Sequence, residues 1–467
     1  MRETGVIESF DFRAGAGVIR LDDGRTLAFD EGVCAFKPFV HLRVIVEQEG
    51  ERAIAVRLGP DAFERWDEIN ARRNREALEE RERRRAEEPR RSWQPVNRDT
   101  LERPWSCDPE LEARLEADPD DDGALEVYAD LLQQRGERVG ELIMVERMLP
   151  HSPHDARESL DEQRYELRNE VFGELEDHDH CLRLRWHDGL VRSVDVFVSR
   201  HALEGAALDP LARLLSHPAG RFVRGLSVAF EEDDDVIPDL GEILDLLQRA
   251  RWLRSTLRSL VLGDPAWSVF SFAHRPPAYG SLAALEALTI TGAPLELGVI
   301  ELPRLRRLDV QSHGLTAANL AAIVRAAGRS ALERLTIGFG TGEAVEGESV
   351  VADLEHLLPL LESPPPALTA LGLCNAPFAD ALCEVLPRTP MAAAVAELDL
   401  SGGAMTDTGA HRLVARAAQL RHLERLSVES NLLSEEGVAA LARIGCQVRA
   451  DGQRRDAEGS VEIQPPW

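Results

Sequence analysis

A chain of 467 residues has room for two to four domains of ordinary size, and its 44% hydrophobic content can supply cores for them. With 54 basic against 82 acidic residues it carries a net charge of -28. That excludes a constitutive binder of nucleic acid or anionic membrane, because phosphate affinity comes from clustered cations.

Residues 1–59 alternate apolar and polar side chains with frequent glycine, as in Gly17-Val18-Ile19-Arg20-Leu21 and Val44-Ile45-Val46. Asp22-Asp23-Gly24 is a hairpin-turn signal between two such runs, and the segment predicts a small β-barrel. Residues 60–106 switch to balanced charge, with Glu68 before Arg72, Glu79 before Arg83 and Glu80 before Arg84 at the four-residue spacing that supports a helix. They predict a solvated helical linker rather than a basic nucleic-acid helix.

Residues 107–181 predict a small helical unit. Pro109 suits a first helical turn, Leu111 and Leu115 share a face, and Asp118-Pro119-Asp120-Asp121 stops one helix and caps the next. Leu125, Tyr128, Leu131 and Leu132 continue at helical spacing until Gly136, and Glu141 to Leu149 supplies a third piece.

Over residues 182–450 an L-x-x-L-x-L frame recurs nine times, starting at Val191, Val223, Leu257, Leu285, Leu305, Leu332, Leu368, Val395 and Leu423. In four copies the frame leads into period four: Val310 to Leu315, Asn319 and Ile323; Leu373 to Phe378, Leu382 and Leu386; Leu400 to Met405, Gly409 and Leu413; Val428 to Leu433, Gly437 and Leu441. A strand that passes into a helix in fixed register cannot bury its apolar face alone, so the copies must stack. The expectation is one continuous array around a single parallel sheet, followed by a tail at 451–467.

These copies resemble leucine-rich repeats of the long, helix-bearing type found in ribonuclease inhibitor. The resemblance implies an α/β solenoid whose curved face docks another protein. The asparagine that closes the strand turn in that family stands here only at Asn431, with His313, Gly340, Ala376 and Gly403 at the matching positions. The helical unit, through Leu111, Leu115, Asp118 to Asp121, Tyr128 to Leu132, Gly136 and Gly140 to Ile143, is similar to a companion domain that precedes degenerate repeats in some bacterial proteins. Residues 1–59 resemble a cold-shock domain, an OB-type barrel, through Gly5 to Asp11 and Gly15 to Ile19. Glu8, Ser9, Ala16 and Val18 stand where that family carries its lysine and aromatic rings, so the resemblance implies a scaffold that has lost its nucleic-acid surface.

Chemical motifs are sparse. Glu176 to Cys181 has the elements of a metal site but no second ligand pair at zinc spacing, and Glu231 to Asp235 lacks the glycine and final glutamate of a calcium loop. Both read as solvated loops, and no nucleophile, base and orienter combination is evident. Six cysteines without a C-x-x-C pair point to reduced thiols, and no apolar run has signal-peptide or membrane-spanning length. The expectation is a cytoplasmic, non-enzymatic protein without metal or cofactor, binding another protein, with weak nucleic-acid binding by the barrel as the alternative. Its candidate surface is the strand face opposite the leucines, where Arg307, Asp309, Arg334, Glu397, Asp399, Arg425 and Glu429 gather. The alternative reading of that face is mutual neutralisation, Arg307 by Asp309 and Arg425 by Glu397 or Glu429.

Overall fold

The computed structural model describes residues 2–11, 16–30, 33–34, 43–49, 52–58, 108–118, 121–176, 182–198, 208–230, 241–263, 279–292, 297–312, 314–340 and 352–454. The expected linker helix, the acidic loop at 231–235 and residues 177–181 lie outside them. Two compact units divide the chain at Gln94 and Pro95.

The first unit is a closed five-stranded barrel of β1 (Arg2–Asp11), β2 (Ala16–Leu21), β3 (Thr26–Asp30), β4 (Arg43–Glu49) and β5 (Arg52–Leu58), in the order β1-β2-β3-β5-β4. Strand β1 pairs antiparallel with both β2 and β4. The period-two pattern puts Ile7, Ile19, Leu21, Leu27, Phe29, Val44, Val46 and Val56 inside.

The second unit opens with helices α1 (Pro109–Ala117), α2 (Asp122–Gln134), α3 (Arg138–Met148) and α4 (His154–Glu176). Asp108 caps α1 by accepting from the N–H groups of Glu110 and Leu111, and Asp121 caps α2 by accepting from Ala124 N–H. Leu115, Leu125, Tyr128, Leu132, Val139 and Ile143 form their core, which extends to Leu190 and Phe222 of the following region.

Eleven strands then form one mixed sheet, in chain order from β6 (Leu182–His187) and β7 (Leu190–Val198) through β8 (Gly225–Phe230), β9 (Ser259–Leu262), β10 (Ala287–Thr291) and β11 (Arg307–Gln311). It continues through β12 (Arg334–Gly338), β13 (Ala370–Cys374), β14 (Glu397–Asp399) and β15 (Arg425–Ser427) to β16 (Gln447–Arg449). Strands β7 to β16 are parallel, but β6 is antiparallel to β7, so the expected all-parallel sheet is corrected at its N-terminal edge. The cause is Asp188-Gly189, both at positive φ, which makes a tight hairpin ahead of the first leucine frame.

Leucines of the frame fill the core on one side, with Leu260, Leu288, Leu308, Leu335 and Leu426 fully buried. Successive strands are fastened by one repeated contact at their starts. The carbonyl of Arg224 accepts from the N–H groups of both Arg258 and Ser259, that of Arg258 from Glu286 and Ala287, and that of Glu286 from Arg306 and Arg307. The same fork recurs at Arg306, Glu333, Thr369 and Ala396.

Among the helices of the other layer are α8 (Ala317–Ala327), α10 (Ala379–Val385), α12 (Asp407–Ala415) and α14 (Glu435–Leu441). These begin where the period changes, and Ile323, Leu382, Leu413 and Leu441 are buried. A carboxylate relay joins the last three. Asp380 on α10 accepts from the N–H of Thr406 at 2.9 Å, its hydroxyl at 2.6 Å and the N–H of Gly409 at 3.0 Å. Asp407 on α12 likewise accepts from Ser434 N–H at 2.9 Å and Ser434 Oγ at 2.7 Å. Thr406 and Ser434 are the N-caps of α12 and α14, so each helix fixes the start of the next.

Asn431 is fully buried, accepts from Met405 N–H at 3.0 Å and donates to the Leu400 and Val428 carbonyls at 2.8 and 3.0 Å. In the final turn Gln453 takes a similar part, donating to Val428 O at 2.8 Å.

Candidate functional site

Parallel pairing without slippage turns the polar positions of the strands into two rows. The first reads Ser193, Gly225, Ser259, Ala287, Arg307, Arg334, Ala370, Glu397, Arg425, Gln447. The second reads Asp195, Ser227, Val261, Thr289, Asp309, Thr336, Gly372, Asp399, Ser427, Arg449. Small side chains dominate the early strands, and charged ones collect from β11 to β16.

The candidate residues fall into linked groups. Arg307 Nε donates to Asp309 Oδ2 at 2.5 Å, and Asp309 is only 4% exposed while its other carboxylate oxygen has no hydrogen-bond partner. Arg334 reaches over Ala370 to Glu397 Oε2 at 3.2 Å, and Arg425 holds Glu397 Oε1 at 3.2 Å. One carboxylate therefore serves two guanidiniums. Asp399 accepts from Ser401 N–H at 2.9 Å, the Ser401 and Ser427 hydroxyls lie 2.7 Å apart, and Ser427 donates to Glu429 at 3.2 Å.

Neutralisation of Arg307 by Asp309 and of Arg425 by Glu397 matches part of the passive-face alternative; Glu429 is held by Ser427 instead. Cys374, on β13 beside this network, is buried, and its thiol is raised well above the ordinary range, first by burial and then by the Asp399 carboxylate. Burial and the neighbouring carboxylate both favour its protonated form.

Two members of the rows, Gln447 and Arg449, escape the sequence frame. Val448 occupies the register of Leu426, but Gly445 and Ala450 stand where leucines would complete the pattern. Spacing from Leu426 to Val448 is the signal that could have found them.

At the opposite end the sheet is bolted to the helical unit. Arg221 and Glu112, 1% and 0% exposed, are 2.9 Å apart, and Glu116 stands 3.2 Å from Arg221. Arg224 donates to the Glu116 carbonyl at 3.0 Å, placing a cation at the C-terminus of α1. Phe222 meets Tyr128 edge to face at 5.7 Å.

On the barrel, Glu8 of β1 pairs with Arg20 of β2 at 3.1 Å, while Ala16 on β2 and Ala28 and Asp30 on β3 are exposed. Phe29 points into the core. Among the described residues no group of three or more His, Cys, Asp or Glu is placed to hold a metal ion, and no helix is long and apolar enough to cross a membrane.

No family model and no curated protein matches the sequence. Among solved structures, a protein from Bacteroides fragilis is similar at 21% identity, covering 52% of this chain and 68% of that one with a TM-score of 0.40. Likeness at that level carries no argument about function.

Proposed function

We propose that the chain is a non-enzymatic scaffold or adaptor that docks another protein on the polar face of its strands. In this reading the strand–helix units are leucine-rich repeats stacked as a solenoid, the helical unit is their N-terminal companion, and the barrel is a cold-shock-like domain. The protein works in the cytoplasm without cofactor or metal.

The observation that carries the reading is the unbroken register from Ser193 to Gln447, which supports a continuous surface assembled from many short strands. Its charged residues concentrate in a few neighbouring strands, as a specific docking patch requires. Weak RNA or DNA binding by the barrel is the second reading. The Glu8–Arg20 pair and the inward Phe29 speak against it, because single-strand binding relies on exposed stacking rings.

Reversing Arg334 and Arg425 together tests the scaffold reading by affinity capture from the native host. Recovery of the partner should fall with the double reversal and persist with a matched reversal of Arg329 and Arg388, which lie off the strand rows in the segments after α8 and α10 and pair with Glu301 and Glu384. Equal recovery would reject the sheet face as the docking site. Arg412 is unsuitable as a control, because it donates to the Asp380 carbonyl at 2.6 Å and so supports the relay.

A further inference from the structure

Apolar packing joins two elements without fixing the angle between them, because the hydrophobic effect is non-directional. The helical unit and the sheet region share such a core, with Leu115, Leu125, Tyr128 and Ile143 on one side and Leu190 and Phe222 on the other. Directional contacts at the same junction converge on Glu116, near the end of α1. Its Oε1 accepts from Arg221 at 3.2 Å and its Oε2 from the Ser255 hydroxyl at 3.1 Å. Its carbonyl accepts from Arg224 at 3.0 Å and from Arg258 at 3.4 Å. These donors stand in the 3₁₀ turn Pro218–Phe222, in the short helix Leu253–Thr256 and just ahead of β8 and β9.

For a buried cation, Arg221 is poorly served. Its side chain is 1% exposed and that of Glu112 is 0% exposed, yet Nη2 alone meets both carboxylates, Glu112 at 2.9 Å and Glu116 at 3.2 Å. Nε and Nη1 are buried without a hydrogen-bond partner. The Phe222 ring, 5.9 Å from the guanidinium, lies at the outer limit of cation–π range and does not replace them. A buried ion pair recovers the cost of leaving water only when its remaining donors are also bonded. Two of the three guanidinium nitrogens here are not.

We infer that the network of Arg221, Glu112 and Glu116 is a positioning device, which sets how the helical unit sits on the sheet and does so at a cost in folding stability. The observed seating of α1 brings both carboxylates to Arg221 while the end of the helix meets Arg224 and Ser255. A rotated or shifted seating that kept the apolar core would bury two carboxylates and a guanidinium without partners, which is the larger penalty. The network thus acts more against wrong dockings than in favour of the right one. This role is the same whatever the strand face binds.

The test replaces the network with apolar atoms of similar volume in the full chain, as E112L/E116L/R221M. Ser255 keeps its bond to the Trp252 carbonyl in that variant. Val127 on α2 and Val299 between β10 and β11 are both exposed, and p-acetylphenylalanine at these two positions carries spin labels for double electron–electron resonance. The native protein should give one narrow distance distribution. The triple variant should melt no lower than the native protein, while its distribution widens at least twofold. Arg221→Met alone leaves Glu112 buried without its cation and should melt well below both. A triple variant that melts lower or fails to fold would make the network an ordinary stabilising contact and overturn the proposal. An unchanged, narrow distribution in the triple variant, or a native melting temperature for Arg221→Met, would overturn it as well.

Discussion

At the scale of single residues, the packing makes two kinds of position unforgiving. Leu426 is fully buried and Leu398 is 2% exposed, both at the central leucine of the frame. Truncating either to alanine should cost about 2 to 5 kcal/mol, because the strand cannot move to fill the void while its two neighbours hold it in register. Chemical denaturation will measure this, and an unchanged stability would place the residue outside the core. Gly437 is constrained by space instead. A Cβ there would lie 2.0 Å from Asp407 Oδ1, the oxygen that caps the start of α14 through Ser434. Gly437→Ala should therefore lose about 1 to 3 kcal/mol. Gly328, at the end of α8, has ordinary φ and no atom nearer than 3.7 Å to its missing Cβ, so Gly328→Ala should be neutral or slightly stabilising. The contrast separates steric exclusion from a general dislike of alanine.

At the scale of elements, the junction of the helical unit with the sheet should be sensitive to acid. His217 follows α5 (Leu208–Ser216) and hydrogen-bonds to the backbone of Val171 on α4. Burial is the larger influence and lowers its pKa to about 4 from an ordinary 6.5. Between those values the unfolded chain binds more protons than the folded one, so stability declines as pH falls through this window. From pH 7 to 5 the loss from this group should reach about 2 kcal/mol. His217→Gln should flatten that part of the pH profile of thermal unfolding, and an equally steep profile would assign the acid sensitivity elsewhere. The barrel makes a different prediction. With Phe29 inside and Glu8 paired to Arg20, full-length protein should bind mixed-sequence single-stranded oligonucleotides weakly at physiological salt. Submicromolar, salt-dependent binding in fluorescence anisotropy would restore the nucleic-acid reading.

Much of this was legible along the chain because side-chain period and backbone conformation are directly linked. The leucine frames mark β7 to β15, and the shift from period two to period four marks α8, α10, α12 and α14. Strand β6 was harder, because its charged alternation of Leu182, Arg183, Leu184 and Arg185 lacks the frame, although Asp188-Gly189 announces a hairpin. The long helix α4 is polar on most of its surface and meets the core through Leu160, Leu167 and Val171, a stripe too sparse to stand out along the chain. Within the candidate site, row membership followed from spacing. The sharing of Glu397 by two arginines did not, because it depends on side-chain reach across strands. The relay through Asp380 and Asp407 was invisible for a related reason: its partners are more than 25 residues apart, and the glycines that admit it read only as gaps in an apolar face.

At the scale of the whole molecule, every pairing in the large sheet joins strands that are consecutive in the sequence. Contacts of this kind form without closing long loops, which favours propagation from unit to unit over a search for distant partners. The same order governs the response to mechanical load. Tension applied to the two ends would not shear the sheet along its length. It would peel strands away singly from the edge at β16, each rupture meeting only the bonds to one neighbour. Frame starts lie 20 to 36 residues apart, so each event between neighbouring frames would release roughly 70 to 130 Å of extended chain. Force spectroscopy on the full chain should record a staircase of unequal steps in that range. A single rupture releasing the entire sheet would contradict it. A molecule of this design gives way by instalments, so a partner gripping β11 to β15 would stay bound until the peeling front reached its own strands.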